Sequence, residues 1–282
     1  MGRTLETILD GLAFPEGPRW RGGKLWFSDM HANEVVAMTP DGQRETEFSH
    51  AGPVSGLGWL PGGDMLVVSM VDQQLLRVGA DGQAKVHGDL SGIATGRCND
   101  MVVDAAGRAY VGNFGQGYPE SEIKPAKLAR VDPDGTVSVA ADELVFPNGS
   151  MITPDGKTLI VGETFAGRMT AFDIAADGSL SHRRVWAALP ERAVPDGACL
   201  DAEGAVWVAS PTTNDVIRLK EGGEVLERIT ADQGVFACML GGEDRKTLYV
   251  LTASGSDPED CAARRLGRIE AVRVDVPGAG LP

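Results

Sequence analysis

The sequence lacks long apolar runs, basic clusters and paired cysteines, and each absence narrows what the chain can be. No apolar stretch approaches the ~18 residues of a membrane-crossing helix, so no membrane partner is expected. The start, Met1-Gly2-Arg3-Thr4-Leu5-Glu6, has no apolar segment of the secretory kind. Glu6 also stands where a myristoylation signal has Ser or Thr. The 26 lysines and arginines are outnumbered by 40 acids, giving a net charge of −14, and no basic run offsets it. Such a surface repels phosphate backbones, which excludes nucleic acid as an expected partner. The four cysteines, Cys98, Cys199, Cys238 and Cys261, form no CxxC and no paired spacing. They read as reduced thiols in the cytoplasm, the first, second and third buried in strands. The four histidines (His31, His50, His87 and His182) are scattered, and no G-x-S-x-G elbow is present, since Val54-Ser55-Gly56 lacks the first glycine.

Glycine, by contrast, is plentiful at 37 residues, implying many tight turns and a β-rich chain. Six segments share one outline: a polar or small anchor, a short apolar strand, a Gly turn and a second strand. They are Pro15-Glu16-Gly17-Pro18, Val54-Ser55-Gly56-Leu57, Cys98-Asn99-Asp100-Met101, Pro147-Asn148-Gly149-Ser150, Pro195-Asp196-Gly197-Ala198 and Phe236-Ala237-Cys238-Met239. Their anchors at 16, 55, 99, 148, 196 and 237 recur every 39 to 49 residues. Further Asp-Gly turns (Asp41-Gly42, Asp81-Gly82, Asp134-Gly135 and Asp177-Gly178) separate a third strand from a fourth. Four strands per repeat make a propeller blade. The expected architecture is an all-β, six-bladed β-propeller, with no linker to divide it, so one domain over 1–282. To close the ring, 268–274 supplies a late strand of the last blade and 4–9 its outer strand. The polar tract 254–265 reads as a solvated loop.

Radial repetition converts this pattern into geometry, because equivalent positions lie at one height around the channel. One ring contains Glu16, Ser55, Asn99, Asn148, Asp196 and Ala237. A second column, at the end of the next strand, contains Asp29, Ser69, Asn113, Glu163, Ser210 and Thr252, and both open at the same end. Carboxylates converging in a confined channel repel one another and lose hydration, and a bound cation relieves both costs. An all-oxygen set suits a hard ion such as Ca²⁺, Mg²⁺ or Mn²⁺, and it leaves Zn²⁺ open.

The same motifs, Glu16 within Pro15-Glu16-Gly17-Pro18, Arg97-Cys98-Asn99-Asp100, Pro147-Asn148-Gly149 before Pro154-Asp155-Gly156-Lys157, and Pro195-Asp196-Gly197, resemble the senescence marker protein / gluconolactonase / luciferin-regenerating-enzyme family. The likeness runs in order along essentially the whole chain. It implies a six-bladed propeller with one catalytic divalent metal, Ca²⁺ first, that hydrolyses lactones or related esters. It further implies Glu16, Asn148 and Asp196 as metal ligands, with Arg97 and Asn99 orienting substrate. Asn113 is read as a third substrate contact. Asp196 is the candidate general base, combining a ligand position with a free carboxylate oxygen. The segments Asn113-Phe114-Gly115-Gln116-Gly117-Tyr118 and Glu163-Thr164-Phe165 depart from the sugar-lactonase pattern, and Phe114, Tyr118 and Phe165 suggest a more apolar entrance. The expected partner is a small lactone or ester. The alternatives are a phosphotriester hydrolase on the same metal and a non-catalytic scaffold with a structural metal.

Overall fold

The computed structural model describes residues 3–115 and 124–282; Gln116, Gly117 and Tyr118 lie outside the described residues. Six four-stranded antiparallel sheets make up the fold. Blade 1 runs from the inner strand Pro15–Arg21 through Lys24–Asp29 and Glu34–Met38 to Arg44–Ser49. Blades 2 to 5 repeat this order, their inner strands being Val54–Trp59, Cys98–Val103, Pro147–Ile152 and Ala198–Leu200. Each inner strand touches those of the blades before and after it, so the sheets close into a ring.

Blade 6 contains Gly234–Gly241, Thr247–Ala253 and Gly267–Arg273, and its outer strand is Glu6–Leu12 from the other end of the chain. Pairing of Glu6 with Ala271 and of Leu12 with Gly267 joins the two ends, as the repeat predicts, with each strand displaced slightly from its expected span. The last residues run across the far end of the ring: Gly278 bridges to Asp201 of blade 5 and Leu281 to Ile152 of blade 4. Leu281 and Pro282 then line a cavity of about 340 Å³ with Arg19, Trp20, Leu57 and Val103 of blades 1 to 3.

Burial falls from the axis outwards. Every residue of Cys98–Val103 and of Pro147–Ile152 is buried, whereas Arg44–Ser49 is largely exposed. This matches the sequence, in which inner strands are small and apolar and outer strands carry the charge. In blades 2 and 4 the glycine after the anchor lies tight against the next blade. A Cβ on Gly56 would lie 2.6 Å from the Met101 nitrogen, and one on Gly149 would lie 2.2 Å from the Asp196 carbonyl oxygen. Only glycine permits that approach.

The anchors sit on β-bulges. Glu16 pairs with Ser28 and Arg19 with Trp26, so three steps on the inner strand face two on its neighbour. Blades 2, 3 and 4 repeat the offset after Val54, Cys98 and Pro147. In blade 5 the Asp196 nitrogen donates to the Ala209 carbonyl, while the Ala209 nitrogen donates to Gly197. A bulge re-aims one side chain without breaking the sheet, and here it does so at the ring position of successive blades.

One expectation fails. The tract read as a solvated loop contains the helix Pro258–Arg264, capped by Asp257, which accepts from the Asp260 nitrogen at 2.9 Å. Its Cys261 is buried against Phe14, Met30 and Phe236. The signals were an Asp cap, a Pro in the first turn and acids behind it, but the run is too short to show a periodic apolar face. All four cysteines are buried and free. Among the described residues no helix is long and apolar enough to cross a membrane.

Candidate functional site

Glu16, Asn99, Asn148 and Asp196 are all buried, at 7%, 5%, 3% and 9% exposure. Consecutive members of the ring are joined by hydrogen bonds running in one direction. Ser55 Oγ donates to Asn99 Oδ1 at 3.1 Å, and Asn99 Nδ2 donates to Asn148 Oδ1 at 2.9 Å. Asn148 Nδ2 then donates to Asp196 Oδ1 at 2.6 Å. With Asp196 ionised, the chain ends on a group that only accepts, and that sets the direction of both amides. Thr164 supports the end of the chain, donating its Oγ1 hydrogen to the Pro195 carbonyl at 2.9 Å.

Glu16 lies on the other side of blade 6, where the register corrects the expected ring member from Ala237 to Phe236: Val235 pairs with Thr252 as Pro15 pairs with Asp29. Its Oε2 accepts from the Gly17 nitrogen at 2.9 Å. Burial first, then repulsion from Asp196, holds the Glu16 carboxyl well above the usual range. Burial likewise pushes Asp196 up to about 7, with the Asn148 hydrogen bond opposing and Asp100 adding to the rise.

Asp100 and Arg19 were not foreseen. Arg19 Nη2 contacts Asp100 Oδ1 at 2.7 Å, both side chains being buried. The same guanidinium donates to the carbonyls of Leu57 and Pro18, at 2.9 and 2.7 Å, and to that of Met101. It therefore ties the inner strands of blades 1, 2 and 3. The available signal was a charged pair within otherwise apolar inner strands.

Arg19 relieves Glu16 in part but is committed to Asp100. Three acids facing one guanidinium leave a deficit of about two positive charges when all are ionised. A divalent cation fits that deficit, and Glu16, Asp196 and the amide oxygen of Asn148 fit its taste for oxygen donors. Among the described residues no cluster of three His, Cys, Asp or Glu side chains forms a metal site, so amide oxygens would have to complete the set.

The second column has a different role from the ring. Register places it at the same end of the channel, Asn113 opposite Cys98 and Glu163 opposite Pro147. Its side chains, however, grip the frame. Asp29 accepts from the Ala13 and Phe14 nitrogens at 3.1 and 2.7 Å, and Glu163 accepts from the Val145 nitrogen at 2.9 Å. Ser210 accepts from the Val194 nitrogen at 3.2 Å. Asn113, expected to touch substrate, donates to the Lys127 carbonyl at 2.8 Å and accepts from the Gly115 nitrogen at 3.1 Å. Both polar ends are thus engaged with backbone. Glu163 sits below the usual range even though burial pushes it up, because Arg168 and Thr170 hold its charged form.

Arg97 is exposed at the same end, and its carbonyl accepts from the Phe114 nitrogen at 2.9 Å. His31 is half-buried, with its ring 4.9 Å from that of Phe14. Burial lowers its pKa, Arg97 adding to the fall while the Ser256 backbone and Asp29 oppose it. Phe114 and Phe165 do form part of an aromatic run, through Phe146 at 4.5 and 5.2 Å.

The model of the SMP-30/gluconolactonase/LRE-like region matches residues 14–254. The chain belongs to that family. It is 34% identical to regucalcin of Gallus gallus over 179 residues, 59% of this chain and 58% of that protein, and so matches less than two thirds of that relative's length. It is 27% identical to pentonolactonase XacC of Haloferax volcanii over 247 residues, 85% of this chain and 81% of that one. Its fold matches the calcium-binding protein regucalcin of Agrobacterium tumefaciens with a TM-score of 0.83 at 21% identity, covering 100% of this chain and 97% of the other.

Proposed function

We propose that the chain is a metal-dependent lactonase, a one-domain propeller that opens a cyclic ester with water. The observation that carries this reading is the pair of buried acids, Glu16 and Asp196, left short of positive charge beside a directed chain of amides. The pentonolactonase relative and the family description support lactone chemistry. The calcium-binding neighbour supports Ca²⁺ as the first choice of ion, ahead of Mn²⁺, Mg²⁺ or Zn²⁺.

Glu16, Asn148 and Asp196 would hold the ion, with Asn99 next to them. A divalent cation so held supplies Lewis acidity toward the carbonyl oxygen. Asn148 fixes Asp196 through one carboxylate oxygen, leaving the second to accept a proton from water. As that proton moves, the water oxygen bonds to the carbonyl carbon. The proton then goes to the ring oxygen as the ring C–O bond breaks, yielding a hydroxy acid. A carboxylate that also holds the ion is a weak base, so the ion would have to acidify the water as well. Asn99 orients the substrate, and Arg97 receives the product carboxylate. Asn113 acts by shaping blade 3 rather than by contact. Four buried free thiols favour a reducing compartment, and we place the protein in the cytoplasm.

The test is hydrolysis of a lactone panel, with a phosphotriester alongside, by chelator-stripped protein to which ions are returned singly. Loss of lactone hydrolysis on stripping and recovery with one ion supports the reading. Turnover indifferent to chelation, or confined to the phosphotriester, contradicts it.

A further inference from the structure

Resting on that reading, we infer that the lactone this site takes carries an apolar alkyl or aryl substituent, lying against Phe14 and Phe236 in the blade 6 sector of the ring. The ring is polar at Glu16, Ser55, Asn99, Asn148 and Asp196 but not at blade 6. There the register puts Phe236 at the ring position, since Val235 pairs with Thr252 as Pro147 does with Glu163, so an aromatic ring stands between the two acids. Phe236 immediately precedes Ala237 and Phe14 precedes Pro15, and their rings meet edge-on at 4.7 Å. Both belong to one apolar cluster with Met30, Met70, Ala253 and Cys261. The wall therefore continues from blade 6 across blade 1 to blade 2.

Among the described residues, these side chains of the second column are already committed. Asp29, Asn113, Glu163 and Ser210 hold backbone, and Thr252 donates to Glu270 at 3.0 Å and accepts from Gln233 at 2.9 Å. On the blade 1 side, His31 Nε2 is a buried polar atom without a partner among the described residues. Such a wall can satisfy one polar group, not the several hydroxyls of a sugar lactone. A hydroxyl buried without a partner is costly, whereas an apolar substituent gains by leaving water.

The test is steady-state kinetics of the metal-loaded full chain on γ- and δ-lactones with alkyl or phenyl substituents, the unsubstituted rings, and hydroxylated sugar lactones. Apolar lactones should exceed sugar lactones in kcat/KM by about tenfold or more. In Phe236→Ala the ratio of substituted to unsubstituted kcat/KM should fall by about tenfold. Phe236→Leu, which keeps an apolar side chain, should retain alkyl preference and lose aryl preference, and thermal melts would verify that both variants fold. A preference for sugar lactones, or an unchanged ratio in both variants, overturns the inference and leaves the lactonase reading standing. No turnover of any lactone brings both down.

Discussion

Asn148 Nδ2 lies 2.6 Å from Asp196 Oδ1, while Asn148 Oδ1 accepts from Asn99. The 48 residues between these two ring members span one whole blade, yet one amide aligns the side chains as donor and acceptor. Asp196 is thereby held by one oxygen and left the other.

Asp196→Asn keeps the size of the side chain but removes the proton acceptor. Lactone kcat should fall by roughly 10²–10⁴-fold, the usual worth of a general base, with the melting curve retained. A rate close to wild type would remove Asp196 from the mechanism.

The raised carboxyls give the metal-free protein a distinctive pH dependence. Burial raises Glu16, and Asp196 to about 7. An acid whose folded pKa lies above its unfolded value of about 4 takes up a proton on folding. The stability it contributes is complete below pH ~4 and is lost as pH rises through 7. Stripped protein should therefore melt higher near pH 5 than near pH 8, and saturating Ca²⁺ should erase most of that difference. Carboxyls with lowered values, such as Asp244 at about 2, act in the opposite direction but only in stronger acid. Melting that is flat between these pH values, with and without calcium, would contradict the charge deficit.

The Arg19–Asp100 pair is buried on both sides. Arg19→Met leaves Asp100 unpaired beside Glu16 and should cost about 3–5 kcal/mol in urea unfolding. Adding Asp100→Asn should recover a substantial part of that loss. Two effects that simply add in the double-mutant cycle would mean the groups do not act as a pair.

Gly149→Ala would place a methyl group 2.2 Å from the Asp196 carbonyl. Blades 4 and 5 must then separate. A loss of about 1–3 kcal/mol or more is expected, and kcat should fall with it because Asp196 moves. Gly62→Ala, on an exposed turn with nothing within 4 Å, provides the control.

The propeller was legible because a repeat states one local rule six times, and radial symmetry turns sequence offsets into heights. Glu16, Asn99, Asn148 and Asp196 were legible for the same reason. The hydrogen bonds of Asn113 to its own blade were not, because height does not determine where a side chain points. The ring residue sits on a bulge, whereas Asn113 sits on a regular strand and turns back to its own blade. The Arg19–Asp100 pair was hidden by its separation of 81 residues across three blades. The Phe14–Phe236 contact was hidden because ring closure brings opposite ends of the chain together.

The account rests on Glu16 and Asp196 sharing a cation. The direct measurement is calorimetric titration of Ca²⁺ into chelator-stripped wild type, Glu16→Gln and Asp196→Asn. One binding event in the wild type, weakened by at least about a hundredfold in both variants, is predicted. Undiminished binding in both, or full lactone turnover by stripped protein that takes up no calcium, would contradict it.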